Sequence, residues 1–257
     1  MISLLLLLTC FNASPALSAG EQVDYSAASG AVKPFLSKSY TLFKQGHPLF
    51  QLGGFWGTAG DRQHLNIHGL VGNTYTVNNQ TTSNALVGVG YFLEGQAIRF
   101  MRLSYGLNWF YLPKTSYYGT VTQENLFTNL SYRYEITHYP LYATVKSTSA
   151  ISESSKYALA VNVGIGPNFM KTAHYREKLI NSNSVPNTPF PGKATTTFSA
   201  TVGGGIKRNN VFGGAPLECG YRFFYLGQGN FGRNSNQLNT FTTGSAYANA
   251  ILCSISI

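Results

Sequence analysis

The sequence predicts an all-β chain, an antiparallel, up-and-down β-barrel of eight to ten strands that crosses a membrane. Three observations carry this expectation. Runs that alternate apolar with polar residues recur from about residue 48 to the last residue, which is the period of a strand with two unlike faces. The polar face of these runs is mostly Gly, Ala and Ser with a few charges, while the apolar face carries aromatic residues toward its ends. That is the expectation for a narrow barrel with lipid outside. Charged residues make up only 11% of the chain, beside 27 Gly and 17 Tyr, and no segment shows sustained helical periodicity, so a helical or α/β enzyme is disfavoured.

Taken in order, residues 1–19 combine a short apolar run with Ala16-Leu17-Ser18-Ala19, the pattern of a cleavable Sec export signal. A spanning helix takes about 20 apolar residues, and no stretch approaches that, so membrane insertion would use strands. Residues 20–46 show no strand pattern and are expected to form an N-terminal periplasmic segment, leaving 47–257 as the barrel.

Within the barrel, PLFQLGGFW near residue 50 is the first run. NALVGVGYFL sets Ala85, Val87, Val89, Tyr91 and Leu93 against Gly88 and Gly90, and FMRLSYGLNWFY sets Met101, Leu103, Tyr105, Leu107, Trp109 and Tyr111 against Arg102, Ser104, Gly106 and Asn108. NLSYRYEI sets Leu130, Tyr132, Tyr134 and Ile136 against Ser131, Arg133 and Glu135, and PLYATVKS follows at 140–147. The remaining runs are YALAVNVGIG, FSATVGGGIK, LECGYRFFY and SAYANAILCSISI. The aromatics Tyr91, Trp109, Tyr111, Tyr132, Tyr134, Tyr157 and Tyr225 are the expected interfacial girdles.

These are nine runs, and bacterial outer-membrane barrels have an even number of strands. Either one run is not a separate strand or a tenth lies in HLNIHGLVGNTYTV (64–77) or FMKTAHYREKL (169–179). KTAHYREKLINSNSVPNTPFPGKA reads as an extracellular loop and EGQA (94–97) as a periplasmic turn.

In this register Arg102, Arg133, Lys146, Lys207 and Arg222 face Glu135 and Glu218 across the lumen. Two readings compete, a structural plug of paired charges and a narrow anion-preferring passage. The plug is favoured because eight strands leave an interior just filled by side chains. Cys219 and Cys253 come opposite each other when the last two strands fold back; a cross-strand disulfide and two buried free thiols both fit.

The net charge of +9 is scattered rather than clustered, so nucleic acid is not the expected partner, and an anionic membrane surface or small anionic solutes fit better. A barrel protease of the omptin type needs more aspartates than Asp24 and Asp61 supply. A lipid A deacylase of the small barrel type would place a Ser two positions after a His, which none of His47, His64, His68, His138 and His174 shows. His64 and His68 lie in a strand or loop pattern rather than on a helix, so no metal or cofactor site is expected.

The export signal, the VGVGYF strand turning into FMRLSYGLNWFY, the GGGIKRN turn into LECGYRFFYLGQG, and a terminal strand reaching the last residue resemble small Gram-negative outer-membrane β-barrel proteins, the OmpA-transmembrane-like and opacity-protein-like group. The pattern covers residues 48–257, although such barrels usually end in an aromatic residue and this chain ends in Ile257. The resemblance implies insertion by the barrel assembly machinery and contact with outer-membrane lipid and lipopolysaccharide; with no catalytic constellation among its residues, the chain is expected to have a structural or surface-interaction (adhesin-like) role. Host or cell-surface ligands of the loops are further candidate partners, and a channel or a lipid A-modifying enzyme are the alternative roles.

Overall fold

The computed structural model describes residues 46–78, 82–98, 101–151, 155–180, 190–233 and 237–257. The expected export signal, and all of the expected N-terminal segment except Gly46, lie outside the described residues. Ten strands follow one another: β1 (Gly46–Thr58), β2 (Gln63–Leu65), β3 (Asn73–Asn78), β4 (Thr82–Ile98), β5 (Met101–Gln123), β6 (Phe127–Ala150), β7 (Tyr157–Leu179), β8 (Ala194–Phe212), β9 (Ala215–Asn230) and β10 (Thr242–Ser256). Eight of them close an antiparallel up-and-down barrel in the order β1, β4, β5, β6, β7, β8, β9, β10. The ring is shut by β1 against β10, in register from Leu49↔Ser256 to Thr58↔Tyr247.

The nine apolar runs resolve into eight ring strands because NLSYRYEI and PLYATVKS are the two halves of β6, a strand of 24 residues. The two segments considered for a tenth strand do fold as strands but add none to the ring. HLNIHGLVGNTYTV holds most of the β2–β3 hairpin, in which β3 continues the line of β4 along β5 from Asn78↔Tyr118 upward. FMKTAHYREKL is the far end of β7, so the expected loop starts later than Lys171, after Leu179. EGQA belongs to the end of β4, where the pairing with β5 shifts between Glu94 and Ala97.

Short connections gather at one end, which we call the lower end. The tightest is the β8–β9 hairpin through Gly213 and Gly214, both at positive φ (60° and 108°), as a two-residue turn between twisted strands demands. Gly46 and Ile257 lie at this end too. At the upper end the strands run on well past the middle of the barrel, β5, β6 and β7 furthest.

Burial answers which face meets water, and the answer changes with height. In the lower half the predicted apolar face points outward: Leu52, Leu107, Ile165 and Ile251 are 58–64% exposed, while Phe110, Tyr142 and Phe224 inside are at 0%. An apolar band of this extent is tolerated by lipid and not by water. It is bordered above by aromatic side chains, with Trp109 and Tyr111 stacked on Tyr139 at 6.5 and 5.3 Å and Tyr225 beside Tyr247 at 5.5 Å.

In the upper half the polarity inverts. β6 keeps its alternation from Leu130 to Tyr142, so Leu130, Tyr132, Tyr134 and Ile136 point inward and are at most 2% exposed. This corrects the expected lipid-facing position of that set and the girdle role of Tyr132 and Tyr134. Neighbouring strands keep pace through bulges. β5 gains a residue between Leu112 and Thr115, and β7 gains one at His174, which takes the left-handed conformation (φ 51°). The interior here is an aromatic core of Tyr75, Tyr117, Tyr132, Tyr134, Tyr175, Phe190, Phe231 and Phe241. Burial first, and the Glu177 carboxylate second, push the Tyr75 phenol above its usual range.

Candidate functional site

Five of the seven expected lumen charges do point inward, and they occupy the lower half. Lys146 on β6 forms an ion pair with Glu218 on β9, both side chains being largely buried (14% and 13% exposed). Lys207 on β8 stands directly beside Glu218 in the sheet register. Arg102 on β5 pairs with Glu94 on β4 at 3.2 Å, and His47 on β1 lies 3.4 Å from the same carboxylate. Together these groups line a cavity of about 440 Å³ whose other walls include Leu49, Phe92, Ser254 and Ser256.

Glu94 and His47 were not among the sequence candidates. The signal was available: Gly88 and Gly90 define the inward face of β4, and two steps of the same alternation lead through Phe92 to Glu94. Reading EGQA as a turn broke that count.

Arg222 stands higher, at 5% exposure, with its guanidinium 5.0 Å from the centre of the Phe110 ring. Among the described residues its Nε and Nη1 find no hydrogen-bond partner, and the guanidinium rests on the ring face. At the same level Gln51 donates to Asn108 Oδ1 at 2.6 Å. Phe110, Tyr142 and Phe224 pack edge-on or tilted within 6.2 Å of one another. Above them His138 is fully buried beside Asn168, whose Nδ2 lies 2.9 Å from its Nδ1. The polar cavity therefore ends at a packed layer, and the aromatic core begins directly over it.

Arg133 and Glu135 do not belong to this lumen set. They lie on the outer face of β6 in the upper half, because the alternation of β6 continues unbroken while its surroundings change from lipid to water. Arg133 bonds Glu135 at 3.1 Å and Ser116 Oγ at 2.9 Å and lies over the Tyr118 ring. Glu135 also receives His174 at 2.9 Å and Lys114 at 4.0 Å.

Cys219 and Cys253 face each other across β9 and β10 on the outer side of the lower half, and their sulfurs are bonded. His64 contacts Thr74 Oγ1 at 3.0 Å and the Val71 carbonyl at 2.9 Å, a structural role for a hairpin histidine. Among the described residues no three His, Cys, Asp or Glu side chains converge as metal ligands.

No known protein-family profile matches the chain, and no curated protein sequence does. Among solved structures it is similar to the outer membrane protein OprG from Pseudomonas aeruginosa (10% identity, 82% of this chain and 96% of that one, TM-score 0.45). It is also similar to Neisserial surface protein A (9%, 81% and 95%, 0.38), and to Ail, the attachment invasion locus protein of Yersinia pestis (10%, 83% and 99%, 0.33).

Proposed function

We propose that the chain is an exported outer-membrane barrel that acts as a closed scaffold, with the tall upper half as its surface for contacts outside the cell. The observation that carries this reading is the filling of the interior. From Phe110 upward, successive layers of Phe, Tyr and Leu side chains are at most 4% exposed, so the described residues line no wet route up from the lower cavity. The inward charges act as a plug: Lys146 and Glu218 compensate one another away from water, as buried charges require, and Arg102 pairs with Glu94 at the more exposed mouth of the cavity. The upper half has the construction of a soluble barrel, dry inside and polar outside, and rises clear of the apolar band. Length invested beyond the lipid suits a role at the surface.

The test is solute flux through liposomes containing the folded protein, checked by heat-modifiable migration. Chloride and small sugars are expected to leak no faster than from protein-free liposomes. Flux proportional to the amount of folded protein would overturn the closed reading in favour of a channel.

A further inference from the structure

The outer wall of the upper half is not uniformly polar. On three adjacent strands, β5, β6 and β7, it carries Lys114, Arg133, Lys171, His174, Arg176 and Lys178. The one carboxylate on this outer face among the described residues is Glu135, which is engaged by Lys114, Arg133 and His174. Among the described residues, Lys171, Arg176 and Lys178 have no ion-pair partner, and all three are exposed. Register stacks them closely: Arg176 lies opposite Arg133, Lys178 opposite Ser131 and Lys171 opposite Thr137. On the far wall the outward positions of β9 and β10 at the same end, Gln228 and Ser245, carry no charge.

The height of these cations matters as much as their number. Tyr139 and Phe169 are paired neighbours on β6 and β7 at the upper edge of the apolar band. A strand rising about 3.3 Å per residue and tilted about 40° puts Lys171 roughly 5 Å above that edge, Arg176 roughly 15 Å and Lys178 roughly 20 Å. A phospholipid offers one phosphate at the first of these levels. A phosphorylated glycolipid offers phosphates at the first level and further phosphates or carboxylates on its sugars at the higher ones.

We propose that the outer wall of β5–β7 binds the anionic headgroup of an outer-leaflet phosphorylated glycolipid, with Lys171 at its innermost phosphates and Arg176 and Lys178 at its sugar-borne charges. Arg133 is held upright for the same purpose by Ser116, Glu135 and the Tyr118 ring, which lowers the entropy lost on binding. The proposal rests on the reading of the barrel as an outer-membrane protein with its tall end outward. It goes further in naming the ligand class and the wall that receives it.

The test uses the full barrel in detergent micelles with fluorescently labelled lipopolysaccharide, the same material after phosphatase treatment, and phosphatidylglycerol as separate probes. The triple variant Lys171→Gln, Arg176→Gln, Lys178→Gln removes three exposed cations without touching the interior. It is compared with Lys156→Gln, Arg208→Gln, which removes two cations at the lower end.

Lipopolysaccharide binding is expected to weaken on the order of a hundredfold in the triple variant and to stay unchanged in the lower-end variant. Phosphatase treatment should weaken binding to the wild type and matter little to the triple variant. Equal binding by wild type and triple variant overturns the proposal, as does indifference to phosphatase. Phosphatidylglycerol binding as tight as that of lipopolysaccharide and lost in the same variant would replace the glycolipid by a single-phosphate lipid. Liposome flux tests the closed-scaffold reading separately, so either reading can fail without the other.

Discussion

Replacing Phe241 by alanine is expected to destabilise the upper half of the barrel by about 3–5 kcal/mol, the usual cost of emptying a fully packed aromatic site. Phe241 is 1% exposed. Its ring lies within 6 Å of those of Tyr75, Tyr132, Tyr134, Tyr175, Phe190 and Phe231. Among the described residues no other ring has so many aromatic neighbours. Because the lower half is held by lipid and by its own ring of strands, the loss should be regional. Amide exchange in β3, β5, β6 and β7 above the aromatic girdle should accelerate, while amides of β8–β10 within the apolar band stay protected. Uniform loss of protection would mean that the two halves unfold as one unit, and no loss would mean that the aromatic cluster does not hold the extension.

Glu218→Ala should cost a comparable amount, again about 3–5 kcal/mol, by leaving the Lys146 ammonium inside the barrel without its partner. The informative comparison is the double variant Lys146→Met, Glu218→Leu, which removes both charges and fills the same space. A buried ion pair is often no better than well-packed apolar side chains, so the double variant should unfold within about 1 kcal/mol of the wild type in denaturant titrations. If the single and double variants are equally damaged, the pair does more than compensate charge. Lys207 beside Glu218 in the register would then be the group to examine, since it too loses a counter-charge.

The lower half of the molecule was legible in the sequence. In β4, β5, β7, β8, β9 and β10 the set of residues read as lipid-facing is the set that points outward, and Arg102, Lys146, Lys207, Glu218 and Arg222 point inward. Two opposite environments, lipid and a narrow interior, select unlike residues over a whole strand, so alternation alone carries the orientation. What misled was the assumption that one orientation holds along the full length of a strand. On β6, Arg133 and Glu135 share a face with Leu141, Ala143 and Val145, and that face passes from lipid into water near Thr137. The change of partner is visible in the sequence as a change of parity, with apolar residues at odd positions after 140 and at even positions before 137. Read as two strands, it inflated the count to nine; read as one strand crossing a boundary, it gives both the eight-strand ring and the extension.

The bulges were not legible. His174 adopts a positive φ without a glycine or asparagine to announce it, and Pro113-Lys114 looks like a turn when taken alone. Both are explained only by the need to keep Tyr117 and Tyr175 pointing inward alongside Tyr132 and Tyr134. The aromatic core is a property of strands brought together from residues 75 to 241, which no local pattern records.

The most direct test is whether the outer wall changes medium partway up, and the two tryptophans make it accessible. Trp56→Phe leaves Trp109 at the upper edge of the apolar band. Adding Tyr118→Trp in a Trp56→Phe, Trp109→Phe background puts the only indole on the outer wall of the same strand, above the bulge. Fluorescence quenching would be measured for both variants in bilayers, with lipids brominated on the acyl chains and with aqueous iodide. The structure predicts strong quenching of Trp109 by the brominated lipid and little by iodide, with the reverse for the indole at position 118. Quenching of both by brominated chains, or of Trp109 by iodide alone, would contradict the inverted wall and the raised outer surface built on it.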